Sequence, residues 1–87
     1  MKYFLKPKAI RTKTLERMGF EVINLNKKRL QYAVRETNTE IGKIFISLWR
    51  DFGPYRQIIW NRCLKPIDDL RPFIQDLIDK GYVEEQE

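Results

Sequence analysis

The chain has 87 residues, with 17 Lys or Arg against 12 Asp or Glu, no His and one Cys, and a net charge of +5. That length suits a single small domain over residues 1–87 and leaves no room for two separate cores. Without His, and with Cys63 as the sole thiol, Ser-His and Cys-His nucleophile pairs, His-ligated metals and four-Cys zinc sites cannot be assembled, and an internal disulfide framework is excluded.

Residues 1–11 read as an extended, basic lead-in in which Pro7 opposes early regular structure. Its first residues hold no apolar run of signal-peptide length, and no stretch of the sequence is long and apolar enough to span a membrane. With a lone thiol suited to a reducing compartment, the expectation is a cytoplasmic protein with no membrane partner. Cys63 lies among apolar residues and reads as a buried, inert thiol.

A short helix is predicted over residues 12–18, stopped by Gly19 as a left-handed cap. The hydrophobic period then changes to two. Residues 20–25 form a predicted strand, Asn26, Lys27, Lys28 and Arg29 a basic turn, and residues 30–36 a returning strand with Leu30, Tyr32 and Val34 on one face. Residues 37–40 are turn chemistry, residues 42–49 the best-patterned strand, and residues 51–54 a second turn leading into residues 55–61.

The last predicted element is an amphipathic helix. Asp68 and Asp69 supply capping oxygens, Pro72 fits the first turn, and Ile67, Leu70, Phe73, Ile74, Leu77 and Ile78 recur at three- and four-residue steps. Gly81 ends it behind Lys80, and residues 84–87 form an acidic tail expected to be mobile. The predicted class is α+β: a short N-terminal helix, a four-stranded antiparallel meander, and a C-terminal amphipathic helix packed on one sheet face.

On the central strand Ile44, Ile46 and Leu48 point to the core. The next strand offers it either Ile58 with Trp60 or Tyr55 with Ile59. A five-residue loop over residues 50–54 favours the first choice and would bury Trp60 beneath the last helix. The opposite face then shows Lys43, Phe45, Ser47, Trp49, Tyr55, Gln57 and Asn61, a mixture of aromatic and polar groups that marks a contact surface.

Charge is also sorted along the chain. Residues 1–35 carry ten basic side chains against two Glu, and residues 66–87 carry two basic against seven acidic. The basic front half favours polyanions. No nucleophile constellation or glycine-rich phosphate loop is present, so the expectation is a non-catalytic binding module with no cofactor and no metal. In one reading it contacts nucleic acid, with Lys27, Lys28, Arg29, Arg35 and Lys43 on phosphates and Phe45 and Trp49 stacking on bases. In the other, the aromatic sheet face binds a protein, either a distinct partner or a second copy in a homodimer. The order helix, strands, helix, with the stretch from Leu15 to Val22 passing through Gly19-Phe20, resembles the layout of double-stranded-RNA-binding domains and HicA-type toxins. Asp68-Asp69 stand where those RNA-binding domains carry a basic cluster, and the toxins' histidine is absent, so no family is assigned and no residue is carried over.

Overall fold

The structure, a computed structural model, describes residues 2–26, 30–48, 57–65 and 68–86. Its first element is a strand. Tyr3, Phe4 and Leu5 are consecutive apolar residues and all three are buried, as suits a strand with a neighbour on each side. This strand, β1 (Lys2–Leu5), lies inside the sheet. A single 3₁₀ turn (Pro7–Ala9) follows, where Pro7 has no N–H to leave unpaired. Then comes helix α1 (Thr12–Arg17), which presents Leu15 to the core. The helix closes as anticipated: Gly19 takes φ +86°, its N–H donates to Glu16 O (3.0 Å), and the Phe20 N–H reaches back to Leu15 O (2.9 Å). This paired closure satisfies the last carbonyls and swings Phe20 into the core.

Strands β2 (Glu21–Asn26), β3 (Leu30–Glu36), β4 (Lys43–Ser47) and β5 (Ile58–Trp60) form the anticipated antiparallel meander. Two further strands enlarge it. β1 pairs with β5, and β6 (Val83–Gln86) pairs with β1, giving a six-stranded antiparallel sheet in the order β2-β3-β4-β5-β1-β6. The expected count of four is thereby corrected. The lead-in supplies an inner strand, and residues 84–86 of the tail are hydrogen-bonded to it rather than projecting from the fold.

The predicted C-terminal helix is also broken in two. Arg71–Phe73 is a 3₁₀ turn containing Pro72, and Ile74 leaves helical geometry (φ −128°, ψ 19°) before α2 (Gln75–Asp79) begins. Asp69 turns its carboxylate to the Arg71 N–H (2.9 Å) and the Tyr3 hydroxyl (2.5 Å), and Asp68 accepts from the Lys65 N–H (3.0 Å). Neither caps α2. Gly81 (φ +72°) ends α2 with the same paired closure seen after α1, Gly81 N to Ile78 O (2.9 Å) and Tyr82 N to Leu77 O (3.0 Å).

Both helices lie against one face of the sheet. Leu15, Ile74 and Leu77 join Ala33, Ile44, Ile46, Ile59, Tyr3 and Leu5 in a single buried cluster. The strand register corrects the expectation for Trp60. Ile46 stands opposite Ile59 and Phe45 opposite Trp60, so Ile59 enters the core while Ile58 and Trp60 face away from the helices. Gln57, immediately before Ile58, takes a left-handed φ of +59°. β5 is an inner strand, so the residue opposite Ile46 must also stand opposite Tyr3, and Ile59 does both. A slip of one residue exchanges the faces.

Candidate functional site on the open sheet face

The register fixes which side chains share the face turned away from the helices. Lys2 and Phe4 from β1, Ile23 from β2, Tyr32 and Val34 from β3, Lys43, Phe45 and Ser47 from β4, and Ile58 and Trp60 from β5 lie there. Among the described residues no helix covers this face. Ile23, Tyr32, Val34, Phe45, Ile58 and Trp60 are each half-buried by their neighbours.

Three of these residues form an aromatic row across adjacent strands. Phe45 and Trp60 stack, with centroids 4.6 Å apart and planes 19° from parallel, and Tyr32 leans on the other side of Phe45 at 6.1 Å and 48°. Such pairs contribute about 0.5–1.5 kcal/mol beyond their buried area. The Trp60 indole N–H donates to Ser47 Oγ (3.0 Å), which fixes the rotation of the ring. Each ring of the stacked pair uses one face on its neighbour.

Arg62 completes the group. Its guanidinium carbon lies 5.2 Å from the Phe45 centroid and 5.9 Å from that of Trp60, within the range in which a cation is attracted to the ring quadrupole. Asn61 holds the turn that carries it. The amide Nδ2 donates to Ile41 O (2.9 Å) and Lys43 O (2.5 Å), while Oδ1 accepts from the Cys63 N–H (2.7 Å) and the Leu64 N–H (3.1 Å). All four bonding positions of the amide are filled. The turn is thereby tied to the start of β4, and Arg62 is held over the rings. Arg62 itself is exposed, as is Cys63, which corrects the expectation of a buried thiol.

The structure places the sequence-predicted contacts unevenly. Phe45 stands in the aromatic row, and Lys43 is exposed on the same face, opposite Glu36. Lys27, Lys28, Arg29 and Trp49 lie outside the described residues. Arg35 is on the other face. Its guanidinium donates to Met18 O (2.8 Å) at the end of α1, to Phe73 O (2.7 Å) before α2, and in a two-pronged ion pair to Asp76 (2.6 and 3.1 Å). It also lies 4.6 Å over the Phe20 ring, and only 15% of its side chain is exposed. Arg35 is a tie between the two helices, not a group facing an outside anion.

Trp60 and Arg62 were not legible as site residues. Trp60 depended on the register, and a single Arg after a strand carries no pattern of its own. The Asn-Arg-Cys-Leu stretch closing on an Asn-type turn was the available signal.

On the helix side, burial of Tyr3 and its hydrogen bond to Asp69 push the tyrosine hydroxyl above its ordinary pKa. The same bond, with the Arg71 N–H, holds the Asp69 carboxyl below the usual carboxylate value. Glu85 beside Arg71, at 3.2 Å, raises the guanidinium further. These groups join β1, the 3₁₀ turn and β6 at the surface, and they do not line the open face.

Among the described residues no cluster of three or more Cys, Asp or Glu could hold a metal ion, and no helix is long and apolar enough to cross a membrane. Searches of protein-family models, curated proteins and solved structures give no match to this chain.

Proposed function

We propose that the protein is a non-catalytic binding module whose open sheet face contacts single-stranded nucleic acid. The observation that carries this reading is the Arg62 guanidinium over the stacked Phe45–Trp60 pair, on a sheet face that no described helix covers. Unpaired bases need flat apolar neighbours, and the phosphates between them need cations close by; Trp60 and Tyr32 serve the first, with Phe45 packed between them, and Arg62 and Lys43 serve the second. The net charge of +5 favours the encounter. Lys27, Lys28, Arg29 and Trp49 remain candidate contacts on sequence grounds.

A second reading has its own observation. Ile23, Val34 and Ile58 flank the aromatic row on the same face and are half-buried. Aliphatic groups offer bases little, and they suit a protein partner anchored on Trp60 and Tyr32.

Fluorescence anisotropy with a labelled, mixed-sequence single-stranded oligonucleotide separates the two. Trp60→Ala is expected to weaken binding by about 1–3 kcal/mol with little change in the slope of log affinity against log salt. Arg62→Ala is expected to lower that slope by about 0.7, the loss of one phosphate contact. No binding by the folded wild-type protein at low salt would end the nucleic-acid reading and leave the face to a protein.

A further inference from the structure

The chain's net charge is not spread over its surface. Residues 1–20 hold six basic side chains and one acidic, Glu16, so the whole excess of +5 resides there and the remainder is balanced. Four of those cations, Lys6, Arg11, Lys13 and Arg17, have no hydrogen-bond, ring or ion-pair partner among the described residues. Lys8 has only the Tyr82 ring, at 5.9 Å.

The segment that bears them is ordered and firmly seated. Ala9 and Leu15 are fully buried, Ile10 and Met18 pack against the same core, and the Lys6 N–H is bonded to Tyr82 O (2.7 Å). On α1, Lys13 and Arg17 stand two residues either side of Leu15. At 100° per residue both project almost opposite the buried face and nearly in line with each other. Lys8, Arg11, Lys13 and Arg17 are all exposed. A like-charged pair at this four-residue spacing weakens a helix. Glu16 is the one acidic side chain on the segment, three residues after Lys13, and it forms no ion pair with Lys13 or Arg17 among the described residues.

We propose that this segment, centred on Arg11, Lys13 and Arg17, is a phosphate-binding surface on the helix layer, and that it engages the backbone of the same nucleic-acid partner that the open sheet face receives. The proposal rests on the nucleic-acid reading for its partner but not for its chemistry. The cations are held on short regular elements with their apolar sides buried, so little ordering is needed when they meet an anion. Lying on the opposite layer from the aromatic row, the surface supplies charge without base contact. It therefore governs salt dependence and not base preference.

Inorganic polyphosphate, which has the charge of a strand and no bases, is the direct probe. At low ionic strength the wild-type protein binds it, and Lys13→Glu and Arg17→Glu each weaken binding by about tenfold. Lys65→Glu makes the same change in net charge at another exposed site and is expected to weaken it by less than about twofold. Urea unfolding of Lys13→Glu supplies a readout that does not follow binding. The substitution puts a Glu four residues before Arg17, a favourable pairing, and three before Glu16, an unfavourable one, so its midpoint stays level while binding falls. Equal weakening by Lys13→Glu and Lys65→Glu, or no binding of polyphosphate by the wild type, overturns the proposal. Polyphosphate binding that depends on Lys13, alongside oligonucleotide binding indifferent to Trp60→Ala, upholds this surface and removes the sheet-face reading instead.

Discussion

Arg35 offers the sharpest test of how this fold is held. Arg35→Ala removes a two-pronged ion pair with Asp76 and two charged hydrogen bonds to Met18 O and Phe73 O. It also removes the cover of the Phe20 ring. The Asp76 component is small, because that side chain is 46% exposed and water screens it. The carbonyls matter more. They belong to the last turn of α1 and the turn before α2, and losing a charged donor to a sheltered carbonyl costs about 1–3 kcal/mol. The expected total is about 2–4 kcal/mol, a large share of the roughly 5–15 kcal/mol that stabilises a domain. Equilibrium urea unfolding should show the lower midpoint. Arg35→Lys should recover only part of the loss, since one ammonium cannot reproduce the planar fork, and Asp76→Asn should cost less than about 1 kcal/mol. The folded fraction of Arg35→Ala should bind oligonucleotide as the wild type does. If stability stayed within about 0.5 kcal/mol of wild type while affinity fell, Arg35 would be a ligand contact and its role as a tie would be refuted.

Two other outcomes follow from the geometry. Ile59→Ala should destabilise by about 2–5 kcal/mol and Ile58→Ala by clearly less, because Ile59 is 3% exposed in the main core while Ile58 lies half-buried on the open face; the reverse order in urea would show that the β5 register is wrong. For pH, a depressed Asp69 pKa means the Tyr3–Asp69 bond stabilises the fold above the unfolded carboxylate value of 3.8 and ceases to do so as pH falls through the lower folded value. Stability of wild type and Tyr3→Phe, measured by urea unfolding at a series of pH values, should therefore differ near neutrality and converge in acid; a gap that persists at the acid end would assign the effect to packing.

The meander was legible because period-two alternation and turn residues agree over residues 20–47, and the observed bounds of β2, β3 and β4 fall within two residues of those expected. The strands at the two ends were not. The Tyr3-Phe4-Leu5 run has no alternation, since in this inner strand Phe4 is buried as well as Tyr3 and Leu5, and Val83–Gln86 is half acidic because it is an edge strand with solvent beside it. Their pairing joins residues about eighty positions apart, a relation that no local pattern encodes. The last helix was overestimated for a related reason. Leu70, Ile74 and Leu77 do share a buried side, but the spacing of apolar residues records burial and not hydrogen bonding, so a 3₁₀ turn followed by a short helix gives the same stripe. In the candidate site, Phe45 and Lys43 followed from alternation alone, whereas Trp60 required the register of β5 between β4 and β1.

The sorting of charge takes on a different meaning once the strands are placed. As sequence, the acidic stretch over residues 66–87 looks like an appendage that would repel an anion. In the fold four of its carboxylates are engaged with side chains: Asp69 holds Tyr3 and the Arg71 N–H, Asp76 holds Arg35, Asp79 accepts from Gln75 (2.9 Å), and Glu85 holds Arg71. Two basic side chains, Arg35 and Arg71, are drawn into those contacts. The cations of residues 6–17 are left without acidic partners, on a segment whose apolar side chains the core secures. The acidic end thus acts as scaffold for the helix layer and the edge of the sheet. The N-terminal cations that this scaffold holds in place then add the sequence's whole net positive charge to the field that a polyanion meets.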